Sequence, residues 1–183
     1  MPVQLLWTRG VRSGKIYDAC GGPSWTIQGG WGDRNGSLGP ICPPPNGFEQ
    51  PSIWAGVQCW TGRVDKVELS GANLSCPNGF PDSAAWYTSY WAFSNNRIGV
   101  VPDSWFMGAN VTSASTRINF SSTWLVNDLT KAGLNIRSRS GSLKIPGRVI
   151  SLDVSSNNLT GVIPNPLADT PIRQLYLENN NFY

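Results

Sequence analysis

The sequence predicts an α/β solenoid, a stack of short parallel strands, one per turn, sharing a single apolar interior. Two observations carry that expectation. Val149, Leu152, Val154, Asn157, Leu159, Gly161, Ile163 and Pro164 occupy the apolar, Asn, Gly and Pro positions of L-x-x-L-x-L-x-x-N-x-L-x-G-x-I-P. The phrase restarts 23 residues on (152 to 175), where Ile172, Leu175, Leu177, Asn180 and Phe182 fill its first five positions. That spacing lies within the about 20–29 residues of repeat arrays whose units each contribute one strand. The second observation is a fainter copy upstream: Val67, Leu69 and Leu74 are followed 24 residues later (67 to 91) by Trp91, Phe93 and Ile98.

One such turn cannot bury its own apolar face, so the interior is completed by neighbouring turns. The Asn has a separate task. A loop that turns inward leaves backbone N–H and C=O groups without partners, and a side-chain amide supplies both a donor and an acceptor. Asn96, Asn157 and Asn180 are therefore expected as a ladder of structural residues, the last two buried. The run Ser151-Leu-Asp-Val-Ser-Ser-Asn-Asn-Leu-Thr-Gly-Val-Ile-Pro164 resembles the plant-type leucine-rich repeat. That resemblance implies a second short strand or tight turn on the flank at Gly-x-Ile-Pro.

At the N-terminal end, residues 2–19 carry a weak helical pattern through Leu5, Leu6, Val11, Ile16 and Tyr17, weakened by Gly10 and Gly14. Ile-Tyr-Asp-Ala-Cys-Gly-Gly-Pro-Ser-Trp (16–25), Trp31 and then Ile-Trp-Ala-Gly-Val-Gln-Cys-Trp (53–60) follow. This order resembles the N-terminal cap of plant-type repeats, a helix ending at a Gly-Gly turn, paired tryptophans and W-x-G-V-x-C, matched here by Trp54, Gly56, Val57 and Cys59. The resemblance implies an N-terminal helical, disulfide-bonded cap. A stack needs one, because its first turn otherwise exposes apolar side chains and open strand edges. Trp25, Trp31 and Trp54 suit that covering role, each burying about 150–250 Å². Trp86, Trp91, Trp105 and Trp124 are likewise read as packing residues rather than a stacking platform.

Four cysteines allow three pairings. In the family cap, the Cys inside W-x-G-V-x-C pairs with one shortly upstream. The nearest here is Cys42, which gives Cys42–Cys59 and leaves Cys20 with Cys76, a bridge that departs from the commonest family pattern. A reactive thiol pair has neither C-x-x-C spacing nor a His neighbour, since the chain contains no His.

The chain thus divides into a cap over residues 1–62 and about five repeats over 63–183. Turn one uses Val64, Val67, Leu69 and Leu74, with Ala72 at the Asn position and Asn73 beside it. Turn two uses Thr88, Trp91, Phe93, Asn96 and Ile98, and turn three Ser115, Ile118, Phe120, Thr123 and Leu125. Residues 126–148 interrupt the period as an enlarged loop, or in a second register carry a strand through Leu134 and Ile136. The last turn stops before its Gly-x-Ile-Pro tail. Either the native chain continues, the sequence is a fragment, or another subunit covers that end.

Composition narrows the function. Charged residues are 14%, net charge is +3, and 20 glycines with 14 prolines make the chain turn-rich and nearly neutral. Basic residues are scattered apart from Arg137, Arg139, Lys144 and Arg148, so nucleic acid is not the expected partner. No apolar run approaches the about 18 residues of a membrane-spanning helix. The start lacks the apolar segment of a secretory signal. Five acceptor sequons (Asn35, Asn73, Asn110, Asn119 and Asn158) and four cysteines without zinc-like spacing nevertheless favour an oxidising, extracellular compartment, with the signal removed or outside this sequence.

Catalysis finds little support. Without His, the usual Ser or Cys nucleophile lacks its base. A carbohydrate-active enzyme would need a carboxylate pair drawn from Asp65, Glu68 and Asp153. No cofactor or metal is expected. Residues between the inward apolar positions pave the concave surface, and Glu68, Tyr90, Arg117, Asp153, Arg173, Tyr176 and Glu178 are the candidates for binding a protein or peptide there. Asn119 falls in the middle of that row, where a glycan would obstruct a broad partner, whereas Asn73 and Asn158 are expected on the outer flank. The expected function is a non-enzymatic extracellular recognition module. The alternative is a structural subunit of an extracellular assembly, with copies joined through the open repeat end.

Overall fold

The computed structural model describes residues 13–33, 37–44, 49–81, 88–102, 116–126, 149–163 and 172–183. Helix α1, Ser13–Ala19, is 7 residues long and falls at the end of the pattern over 2–19; residues 1–12 lie outside the described part. The helix ends where Gly21 turns left-handed at φ 70°. The next residue has a steric reason to be glycine, because a Cβ on Gly22 would stand 2.3 Å from the Tyr17 ring. From there the N-terminal segment is built of aromatic rings laid edge to face. Tyr17, Trp25, Trp31 and Trp54 follow one another with centroids 5.3, 5.3 and 5.2 Å apart. This is the arrangement the ring quadrupoles prefer. Trp25 Nε1 donates to the Cys20 carbonyl and Trp31 Nε1 to the Ala55 carbonyl, both at 2.8 Å.

Disulfides join Cys20 to Cys76 and Cys42 to Cys59. The first ties the end of α1 to the first turn of the stack, and the second ties the Pro-rich loop to the sheet.

Strands β1 (Glu49–Pro51), β2 (Val57–Trp60) and β3 (Arg63–Glu68) pair antiparallel. Strands β4 (Tyr90–Ala92), β5 (Thr116–Asn119), β6 (Val149–Asp153) and β8 (Gln174–Tyr176) extend the sheet in parallel. The result is one seven-stranded sheet in the order β1-β2-β3-β4-β5-β6-β8. On the flank, β7 (Thr160–Gly161) pairs in parallel with β9 (Asn181–Phe182). The motif W-x-G-V-x-C does not simply lead into the first strand, as the sequence suggests. Its Val57 and Cys59 are inward residues of β2 itself.

The α component of the expected α/β class is confined, among the described residues, to α1 and a 3-10 turn at Gly22–Ser24. The described return segments between parallel strands are turns and extended chain, for a reason that repeats. Gly71, Asn95, Ser122, Ser156 and Asn179, one per turn and each just before the Asn-ladder position, all have positive φ. A left-handed residue there swings the chain inward and breaks any helical run.

Three inward rows fill the core. Val67, Trp91, Ile118, Leu152 and Leu175 stand in register on successive strands. Two residues further on lie Leu69, Phe93, Phe120, Val154 and Leu177, and after the turn Leu74, Ile98, Leu125, Leu159 and Phe182. Phe93 and Phe120 stack at 5.3 Å, and Phe80 caps both edge-on from behind. Burial is nearly complete through β6 and partial at Leu175, Leu177 and Phe182, which lie on the edge turn.

Asn96 Nδ2 donates to the Leu69, Phe93 and Ser94 carbonyls while its Oδ1 accepts from Leu74 N. Asn157 repeats the pattern on Phe120, Val154 and Ser155, accepting from Thr123 N and Leu125 N. Asn180 does so on Val154, Leu177 and Glu178, accepting from Leu159 N. Each amide therefore clasps its own turn and the preceding one. Asn96 is buried, but against expectation Asn157 and Asn180 are only half-buried, Asn180 in the turn that carries the edge strand β8.

Candidate recognition face

Side chains alternate along a strand, so positions flanking the inward row point away from the core. The strand register turns them into two continuous rows. One runs Lys66–Tyr90–Arg117–Ser151–Gln174 and the other Glu68–Ala92–Asn119–Asp153–Tyr176. Neighbours within a row sit one interstrand step apart, about 4.8 Å. The face is polar and shallow: Ala92, Ser151 and Ser155 are buried, while Glu68, Arg117, Gln174, Tyr176 and Glu178 are exposed. Ala92, Ser151 and Ser155 therefore do not pave the surface as their spacing suggests. They are short side chains, and Ala92 and Ser151 stand between longer ones in the rows.

Tyr90 is the best-connected member. Burial, the Glu68 carboxylate and a hydrogen bond to it hold its phenol above its ordinary pKa, only partly opposed by Arg117. The hydroxyl therefore stays protonated and donates to Glu68. Beside it, the strand ends are fixed by a repeated side-chain clasp. Asn119 Oδ1 accepts from Ser121 N and Oγ, both at 2.8 Å, and Asp153 Oδ1 from Ser155 N and Oγ at 3.0 and 2.7 Å. Glu68 Oε1 takes the same role toward Ser70 N at 3.3 Å. Such clasps pin the backbone at the rim of the face. Arg173 is exposed at the start of β8, its N–H bonded to the Ile150 carbonyl.

Glu68 and Asp153 share a row but stand three strands apart, about 14 Å. Paired glycosidase carboxylates sit about 5–9.5 Å apart, so these two do not form such a pair. Of the acceptor sequons, Asn73 and Asn158 are exposed on the flank and Asn119 is half-buried on the face, its oxygen committed to Ser121. Asn35, Asn110, Trp86, Trp105 and the basic run Arg137–Arg148 lie outside the described residues.

Trp91 is buried, but Trp124 is not a packing residue: it is 66% exposed, on the flank immediately after the ladder position. Its register follows from Thr123, which fills the Asn position and donates to the Phe120 carbonyl at 2.6 Å. Only that alignment distinguishes an outward Trp from an inward one. Among the described residues no helix is long and apolar enough to cross a membrane.

Residues 148–169 match the family described as Leucine Rich Repeat. No curated protein and no solved structure matches the chain. The match supports a leucine-rich repeat protein, and the mostly parallel sheet fits a repeat fold. A leucine-rich repeat in turn suggests a protein-interaction module.

Proposed function

We propose that this chain is an extracellular glycoprotein that recognises a protein or peptide on the exposed face of its parallel sheet, as a plant-type repeat solenoid with its cap over 1–62 and its repeats over 63–183. The carrying observation is the pair of outward rows, in which both charge signs, hydroxyls and the phenols of Tyr90 and Tyr176 are spread over one shallow polar surface. A shallow surface suits an extended or flat polypeptide, whose backbone and side chains find alternating donors and acceptors there. Two disulfides are compatible with an oxidising compartment.

The test is site-specific photocrosslinking in the native extracellular fraction, with the reactive residue at Arg117 on the face or at Val100 on the flank. The expected result is a discrete crosslinked species from 117 alone, lost when Tyr90→Ala and Tyr176→Ala are combined. Equal capture from both positions, or capture indifferent to the two tyrosines, overturns the reading.

One observation favours a second reading, self-association. Strand β8 is an edge of the seven-stranded sheet, and Leu175 and Leu177 behind it are only partly covered. Light scattering at micromolar protein distinguishes the two: a monomer removes self-association and leaves the recognition face.

A further inference from the structure

The residue that follows the ladder position in each turn forms a row along the flank: Asn73, Arg97, Trp124, Asn158 and Asn181. Backbone bonds fix the alignment. Ser75 bridges Arg97, Gly99 N and Ile98 N both reach the Thr123 carbonyl, Asn158 N donates to the Leu125 carbonyl, and Asn181 N to the Leu159 carbonyl. Trp124 occupies the centre of this row with a left-handed backbone, φ 63°, which is uncommon and unfavourable for a bulky side chain. Its indole is largely in solvent, and Val126, two residues on, is exposed as well. The guanidinium of Arg97, from the preceding turn, lies over one ring face, 5.5 Å from the centroid. The next member of the row is Asn158, whose N–H bonds to the carbonyl of Leu125, the residue after Trp124, and which opens the sequon Asn-Leu-Thr.

We propose that Trp124 is the stacking platform for the first N-acetylglucosamine of an N-linked glycan on Asn158. This rests on the reading of the chain as a secreted glycoprotein. In the attachment step, Asn158 Nδ2 loses one proton and bonds the anomeric carbon of the sugar. The sugar's bond to a lipid-linked pyrophosphate carrier breaks, and the pyrophosphate leaves with the bonding electrons. The local hydrogen bonding tolerates this, because Asn158 accepts from Asn181 Nδ2 through its carbonyl oxygen. Its own amide nitrogen donates to nothing among the described residues. A pyranose presents a flat C–H face that packs on an indole, and the Trp124 ring is held by Arg97 over one of its two faces. An exposed, strained aromatic, costly for the bare chain, then gains a covalently tethered partner. Asn73, at the other end of the row, has no such neighbour: its Nδ2 donates to the Ser24 carbonyl, and the next turn offers Arg97.

The experiment is a double-mutant cycle, with the unsubstituted chain, Asn158→Gln, Trp124→Ala and the double variant each made in a glycosylating and in a non-glycosylating host. Peptide mass spectrometry reads occupancy at 158, and thermal unfolding reads stability. With 158 occupied, Trp124→Ala is expected to lower the melting temperature by about 2–4 °C in the glycosylated chain and to have little effect once Asn158→Gln is present. In the non-glycosylating host the two positions are expected to be independent. An unoccupied Asn158 in the glycosylating host overturns the secreted-glycoprotein premise. Occupancy without coupling between 124 and 158 overturns the platform and leaves the premise standing. If Trp124→Ala does not fold, Trp124→Phe, which keeps a smaller ring, is expected to show a reduced coupling of the same sign.

Discussion

Asn157 makes three donor bonds and accepts from Thr123 N and Leu125 N, so a single side chain satisfies five backbone groups across two turns. Truncation strands those groups where water reaches only some of them. Asn157→Ala is expected to cost about 3 kcal/mol by chemical denaturation, and Asn180→Ala less, because the edge turn is open to solvent. Equal costs at the two positions would mean that the ladder acts locally rather than between turns. Tyr90 tests the opposite face. Its phenol pKa is raised in the folded chain by burial and by Glu68, so the fold binds that proton more tightly than the unfolded chain. The resulting stability is complete below the ordinary phenol value of 10.0 and is lost as the pH rises through the folded value. Tyr90→Phe is therefore expected to flatten the fall in stability above pH 10, as measured by denaturation midpoints across that range. An unchanged slope would remove the Tyr90–Glu68 bond as a structural feature.

Among the elements, β2 decides how the N-terminal segment meets the parallel strands. Gly56, just before it, has φ 74°, and a Cβ there would stand 2.2 Å from the Glu68 carbonyl oxygen. That oxygen belongs to the backbone of β3, so nothing flexible can yield. Glu68 N also donates to the Gly56 carbonyl at 2.7 Å, which ties the two chains together at that point. Gly56→Ala combines a strained backbone with a clash and is expected to cost at least about 1–3 kcal/mol, read from the shift in denaturant midpoint. The same junction shows how far the elements were legible. Leu152, Val154, Leu175 and Leu177 could be assigned to strands because their period repeats and each is apolar. Strands β1 and β2 could not, since Pro51 and the short Val57–Trp60 alternation give no repeat to align, and antiparallel pairing with β3 is a tertiary outcome. The outward Trp124 is hidden in the sequence for a related reason. An aromatic one step past a degenerate ladder position looks inward until the register of Thr123 is known.

At the scale of the whole molecule, the described strands form one mostly parallel sheet that fits a repeat fold, each strand pairing with its neighbours, and the two disulfides lie toward its N-terminal end. The bridge Cys20–Cys76 closes a loop with a sequence separation of 56, and Cys42–Cys59 one of 17. By chain entropy these contribute about 4 and about 3 kcal/mol. The larger difference lies in what each holds. Alongside Cys20–Cys76, Ser75 N donates to the Cys20 carbonyl and Thr26 N to the Ala72 carbonyl, backbone bonds that join the tryptophan-rich segment of the proposed cap to the chain just after β3. Phe93 N and Phe120 N instead bond to carbonyls of the following strands, inside the aromatic core. In a stack the turns are energetically separable, so losing the cap's tether should loosen the cap before it reaches the aromatic turns. Replacing both Cys20 and Cys76 by Ser is expected to speed hydrogen exchange at Ser75 and Thr26 well before Phe93 and Phe120 lose protection. Removal of Cys42–Cys59 is expected to leave the Ser75 and Thr26 amides slow. If all four amides lose protection together in the first variant, the cap and the repeats unfold as one unit, and the cap is part of the core rather than a cover on it.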